Sequence, residues 1–133
     1  MAMRKTLLVG GLLALLLLAA CARGQPDIAV DVTRHDFGSI PQGQVATAEI
    51  TVRNTGQGAL KIEAVSTSCG CTSARVEPTT IPPGGEGRLL IRYDSGLHPD
   101  SGPVRRHIYI ASNDLDEPEV EVIITADVQE PTS

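Results

Sequence analysis

Between residues 28 and 128 apolar and polar side chains alternate, and that period of two constrains the fold more than any other feature of the chain. "DIAVDVT" places Ile28, Val30 and Val32 on one face. "VATAEITVR" places Ala46, Ala48, Ile50 and Val52 opposite Thr47, Glu49, Thr51 and Arg53. "ALKIEAV" sends Leu60, Ile62 and Ala64 inward and Lys61 and Glu63 outward. The same rhythm gives Leu89, Ile91 and Tyr93 in "RLLIRYD", Ile108 and Ile110 in "RHIYIAS", and Val120, Val122, Ile124, Ala126 and Val128 in "EVEVIITADV". Successive side chains of a strand point to opposite faces, so each stretch reads as a strand with one face on a core. A shorter strand is expected around residues 73–77. The gaps, "GSIPQG", "NTGQG", "PTTIPPGGEG", "HPDSG" and "NDLDEP", hold the Gly, Pro, Asn and Asp that chain reversals need. No helical stripe of useful length and no internal repeat follow residue 21. The expectation is an all-β chain, a single immunoglobulin-like β-sandwich of about seven antiparallel strands over residues 28–128.

The N-terminus reads as an address. Arg4 and Lys5 precede residues 7–20, an unbroken run of 14 Leu, Ala, Val and Gly residues. A membrane span needs about 20, whereas a signal-peptide core takes about 7–15. The run ends in Leu18-Ala19-Ala20-Cys21, which resembles the bacterial lipobox, whose cysteine is diacylated before cleavage on its N-terminal side. The competing reading is an ordinary secretory signal with a cysteine nearby by chance. On the lipobox reading residues 1–20 are removed, Cys21 carries lipid, residues 21–27 form a polar tether and residues 129–133 a tail. Two or three acyl chains hold firmly where one does not, each buried CH₂ contributing about 0.8 kcal/mol. The mature chain is then tethered to a membrane through Cys21 rather than inserted through it. Ala22 is not an aspartate, so the resemblance implies outer-membrane sorting in a Gram-negative host.

From Cys21 onward the chain holds nine basic and sixteen acidic residues, a formal charge of −7. Such a field does not attract nucleic acid or anionic lipid. Arg105-Arg106 reads as a solvated face of a strand. Phe37, Tyr93 and Tyr109 are the only aromatics, too few for a stacking platform.

The punctuation has a familiar order. "HDFGSIPQG" (with Phe37 and Gly38), "NTG" (Asn54 to Gly56), "LKIEAV", "SCGCT" (Cys69, Gly70, Cys71, Thr72), "IPPG" (Pro83, Gly84) and "SND" (Asn113) follow one another along residues 28–128. In that order they resemble the family called domain of unknown function 1573, exported single immunoglobulin-like domains often carried on lipoproteins. The family looks like a relative of the immunoglobulin-like domains of ciliary and centrosomal proteins and of the major sperm protein. The resemblance implies a fold and a location, not a reaction. Read physically, Phe37 plugs one end of the sandwich and Gly38 takes a turn conformation. "NTG" reads as a hairpin-type reversal, with Asn54 and Gly56 tolerant of positive φ, and "PPGGEG" as a rigid corner.

Cys69 and Cys71 flank a single glycine. With Cys21 spent on lipid they are the remaining cysteines, and an exported compartment permits a disulfide. Two extended residues span about 6.6–7.2 Å, at or beyond the roughly 4.4–6.8 Å of bridged Cα atoms. Gly70 is the residue expected to bend and close that gap. The pair has three readings: a structural disulfide or small core-lining thiols, a reducible redox pair, or a clamp for a soft ion such as Cu(I). Zinc needs two further ligands, for which His35, His98 and His107 are the candidates. On the structural reading Thr72 and the flanking serines satisfy backbone groups at the strand end.

An enzyme is not expected: no Ser/His/Asp order or paired-carboxylate context stands out, and no small-molecule substrate is evident. "GQGAL" and "PPGGEG" do not lead from a strand into a helix, so neither is a phosphate cradle. The leading expectation is a lipid-anchored, cell-envelope interaction module on the periplasmic side, engaging another envelope protein through loops or an unpaired edge strand. The alternative is a metal-binding (copper or zinc) or thiol-redox accessory protein using Cys69 and Cys71. No other cofactor and no nucleic-acid partner is expected.

Overall fold

The computed structural model describes residues 24–98 and 100–132, so the apolar leader and Cys21 lie outside the described residues. Nine strands run through the described residues: β1 (Ile28–Val30), β2 (Arg34–Pro41), β3 (Val45–Asn54), β4 (Leu60–Thr67), β5 (Thr72–Glu77), β6 (Thr80–Ile81), β7 (Glu86–Asp94), β8 (Gly102–Ser112) and β9 (Glu119–Gln129). They form two sheets, ordered β1-β3-β7-β5 and β2-β9-β8-β4-β6. The inner faces meet as the alternation dictates. Ile50, Val52, Val76, Leu89, Ile91 and Tyr93 from the first sheet pack on Leu60, Ile81, Ile108, Ile110, Val122, Ile124 and Val128 from the second, all buried. The β3–β7 register, from Val45↔Asp94 to Arg53↔Glu86, puts Ile50 beside Leu89 and Ala48 beside Ile91 on one face.

The expected sandwich is present, with two differences. The described residues form nine strands rather than about seven, and β2 runs parallel to β9. Gly38 and Pro41 make residues 38–43 read as a turn, yet residues 34–41 form a strand. An edge strand tolerates both residues, because the side facing solvent asks for no ladder donor. Gly38 sits in a bulge between Asp36 and Ser39 at a φ of +70°, and its N–H donates to Asp36 Oδ1 at 2.9 Å.

Two inward assignments fail for local reasons. Val32 is 47% exposed, since β1 ends at Val30 where the chain crosses from one sheet to the other. Ala64 is exposed and Val65 points inward, because a register shift against β8 between Ile62 and Ala64 moves the alternation by one residue. A bulge has this effect wherever it occurs in a strand of period two.

The "PPGG" corner is a tight turn, in which the Gly85 N–H donates to the Pro82 carbonyl at 2.9 Å. Pro83 occupies the second position and Gly84, at φ +72°, the third, as a type II turn requires. A Cβ at Gly84 meets no atom within 4 Å, so only the backbone objects to a side chain. Gly84→Ala is therefore expected to cost about 1–2 kcal/mol, read as a lower urea midpoint with an unchanged slope.

Candidate functional site

The two ends of the sandwich are built differently. At one end the chain is locked by buried polar groups. Asn54, 1% exposed at the end of β3, donates from Nδ2 to the carbonyls of Gly58 (2.7 Å) and Ile81 (2.9 Å). Its Oδ1 accepts from the N–H groups of Asp27 (3.3 Å) and Gly56 (3.1 Å). Its backbone reaches the "PPGG" corner: Asn54 N–H donates to Gly85 O at 3.0 Å, and Gly84 N–H to Asn54 O at 2.8 Å. Neither Asn54 nor Gly56 takes a positive φ, and β3 and β4 lie in opposite sheets, so "NTG" is a crossing between sheets and not a hairpin. Gly56 is required for another reason: a Cβ there would lie 2.3 Å from Gln25 O.

That contact also bears on the expected polar tether of residues 21–27, whose described part, residues 24–27, is docked on the domain. Gln25 O accepts from Gln57 N–H (2.8 Å) and Gly58 N–H (3.1 Å), Asp27 O accepts from Thr55 N–H (2.8 Å), and Pro26 is buried. The stretch is polar yet docked, because its partners are backbone groups that composition does not reveal. Asn113 and Asp114 complete this end. Asn113 bridges Lys61 N–H (2.7 Å) and Ala59 O (3.1 Å). Asp114, 2% exposed, accepts from the N–H groups of Ile28 (2.9 Å), Asp116 (2.9 Å) and Glu117 (3.2 Å). Those bonds, Ile28's foremost, hold its carboxyl below the usual carboxylate range.

The opposite end carries the cysteines. Cys69 and Cys71 are joined by a disulfide, with Cα atoms 5.2 Å apart. The contraction uses no left-handed φ at Gly70, where a Cβ would meet open space, so the ring does not depend on glycine in the way the spacing suggests. Cys71 is 1% exposed and Cys69 half-buried. The loop is held by Thr67 Oγ1, which donates to Cys69 O (3.1 Å) and Thr72 O (2.9 Å), and by Asp94 N–H on Cys71 O (2.8 Å). Buried Thr72 places its hydroxyl 3.7 Å from Cys71 Sγ.

A charged side chain points at the same sulfur. Arg106 Nε donates to Cys71 Sγ at 3.2 Å, while its Nη2 donates to Asp100 Oδ2, which also accepts from the Tyr93 hydroxyl at 3.2 Å. Burial, helped by the Asp100 carboxylate, pushes the Tyr93 phenol up. Phe37 stacks over Tyr93 at 6.5 Å and meets His35 edge-on at 4.7 Å, closing this end of the core. Buried Ser95 anchors the loop that follows β7 by donating to the Pro41 and Gln44 carbonyls. That loop brings exposed His98 within 4.8 Å of both sulfurs. His35 and His107 stand elsewhere: His107 pairs with Glu121 across β8 and β9.

Arg106, expected on a solvated strand face, instead has its side chain against the disulfide and only 19% exposed. The signal was present: with Ile108 and Ile110 inward, period two puts Arg106 inward and Arg105 outward. Asp100 has no comparable signal, being a loop residue brought in by tertiary contacts, and Asp114 is marked in the sequence only as the last residue of "SND". As a metal site the trio Cys69, Cys71 and His98 offers the right donor types, but its sulfurs are bonded to each other and a guanidinium lies against one of them.

Solved structures share this fold. A protein of unknown function from Porphyromonas gingivalis is 27% identical, with a TM-score of 0.73 over 82% of this chain and 50% of that one. The chain thus spans half the length of that relative. The ASH/PapD-like domain of human CEP192 is 12% identical with a TM-score of 0.61, covering 81% of this chain and 89% of the domain. The YadV chaperone is 13% identical with a TM-score of 0.56, covering 77% and 52%. Among curated proteins none matches significantly. The family described as protein of unknown function (DUF1573) matches residues 28–128, the stretch that carries the ordered motifs and both ends of the sandwich, and the chain belongs to that family.

Proposed function

We propose that the chain is a membrane-tethered binding module of the cell envelope that takes up an extended segment of another envelope protein along one open side of the sandwich. The observation that carries this reading is a pair of unpaired strand edges. Cys71 and Asp94 form a hydrogen-bonded pair, so residues 73, 75 and 77 of β5 bond to β7 while the backbone of Ala74 and Val76 faces away from the sheet. On β4, Ser68 bonds to His107, which by the same alternation turns the backbone of Val65 outward. Between these edges runs a groove of about 270 Å³, lined by Ile62, Val65, Ala74 and Val76 with Glu63 and Arg75 at its rim. The outward N–H and C=O groups of half-buried Ala74 and Val65, over an apolar floor that includes buried Val76, suit a strand with alternating small apolar residues and charged outer ones.

The docked N-terminus supports an orientation. With lipid on Cys21, residues 22 and 23 alone separate it from Gly24, a reach of about 10 Å. The Asn54 end then faces the membrane and the cysteine end faces away from it. With Ala22 behind the acylated cysteine, the outer membrane is the proposed address in a Gram-negative host.

Proline scanning tests the edge. Ala74→Pro removes an N–H that serves no ladder bond and is expected to keep stability within about 1 kcal/mol of the parent. Ser73→Pro removes a bond to Arg92 and is expected to cost at least about 1 kcal/mol more. Thermal melting of the two variants checks this. Equal losses at both positions would mean that the β5 edge is closed.

A further inference from the structure

The groove does not involve the cysteine end, which carries chemistry of its own. We propose that Cys69 and Cys71 form a dithiol–disulfide exchange centre, with Cys71 as the leaving thiolate and Arg106 as the residue that stabilises it. Four observations converge there. The two cysteines differ in exposure: Cys69 is half-buried, with the Cys71 N–H on its sulfur at 3.1 Å, and Cys71 is 1% exposed. The Arg106 Nε–H already points at the Cys71 sulfur at 3.2 Å. Asp100, itself bound by the Tyr93 hydroxyl, fixes the guanidinium from its far side. His98 lies within 4.8 Å of both sulfurs. A disulfide with a purely structural role needs none of this, whereas a leaving thiolate gains from a cation and a hydrogen-bond donor held in place beforehand.

The step balances as an exchange with a partner dithiol. One partner thiolate attacks Cys69 Sγ, forming a mixed disulfide and breaking the Cys69–Cys71 bond. Cys71 departs as a thiolate against Arg106. The second partner thiolate then attacks the partner sulfur of the mixed disulfide and releases Cys69. Two electrons pass to the protein, the partner becomes a disulfide, and the two thiol protons lost by the partner go to Cys69 and to solvent. The reverse sequence oxidises this pair and reduces a partner disulfide. The guanidinium beside Cys71 favours an anion there over a metal cation, which sets exchange ahead of metal binding.

The test uses the full chain in detergent, equilibrated against graded ratios of reduced to oxidised dithiothreitol, then alkylated and weighed intact. Reversible appearance of two alkyl groups together is expected while far-UV circular dichroism stays unchanged. Arg106→Met is expected to need a roughly tenfold higher ratio for half-reduction and to exchange at least about tenfold more slowly, with Arg106→Lys in between. If Arg106→Met does not fold, Cys69→Ser supplies the reading: the Cys71 thiolate, followed by ultraviolet absorbance, should form at a pH below the ordinary thiol value of about 8.5. A disulfide that reduces only on unfolding, or an Arg106→Met protein with unchanged midpoint and rate, overturns the proposal. So does a reduced pair that binds Cu(I) or Zn²⁺ through His98 and does not exchange. Replacing both cysteines with serine should leave strand capture at β5 intact, so the two proposals fail separately.

Discussion

Asn54→Ala is expected to destabilise the domain by about 3–5 kcal/mol, the larger of two effects at the N-terminal end. The substitution removes a side chain that is 1% exposed and bonded to four backbone groups belonging to residues 27, 56, 58 and 81. Each buried group left without a partner costs about 1–3 kcal/mol. The Ile81 and Gly58 carbonyls, with the shortest bonds, lose most. Asn54→Asp separates hydrogen bonding from packing, for it keeps the shape but replaces two donors by acceptors facing carbonyls. It is expected to be at least as damaging as alanine. Urea denaturation measures both, and a loss under 1 kcal/mol for either would show that the crossing between the sheets holds without this residue.

Asp114→Ala should cost about 2–4 kcal/mol, since three N–H groups lose a charged acceptor and Ile28 is buried. Its pH dependence follows from the depressed folded value. Asp114 binds its proton more readily in the unfolded chain, whose value is about 3.9. Its contribution is therefore fully present above that value and is lost as pH falls through the lower folded one. Stability should fall from about pH 4 downward in the parent, and Asp114→Asn should flatten that part of the curve. Denaturant midpoints between neutral and strongly acid pH decide this. An unchanged acid limb in the variant would assign the acid sensitivity to other carboxylates.

The effects meet at one end because the fold brings together residues far apart in the chain. Alternation made the sandwich legible: the inward sets on β3, β7 and β9 are those the period of two names. It missed β2 because Gly38 and Pro41 are turn formers that an edge strand also tolerates. It misplaced Ala64 and Val32 because a bulge and a sheet crossing reset the phase without a compositional mark. The motif residues were visible as punctuation, but not their work. Asn54 looked like a turn former and is a buried four-bonded hub, and Gly70 looked like a hinge and has no conformational need to be glycine. Arg106 was readable from the phase of its own strand. Asp100 was not, since only the loop path brings it to the guanidinium.

The docked residues 24–27 give the two ends a direction if Cys21 carries lipid. The locked end then bears the tether, and the disulfide and the open β4–β5 side are left for partners. Site-specific photo-crosslinking in the native host tests the binding account most directly. A photoreactive side chain is placed at Arg75, on the rim of the groove, and for comparison at Arg88, on the outer face of β7. The account predicts a discrete crosslinked envelope protein from position 75, absent from position 88 and abolished by Ala74→Pro in a chain that still folds. Equal crosslinking from both positions, or a position-75 product indifferent to Ala74→Pro, would contradict it.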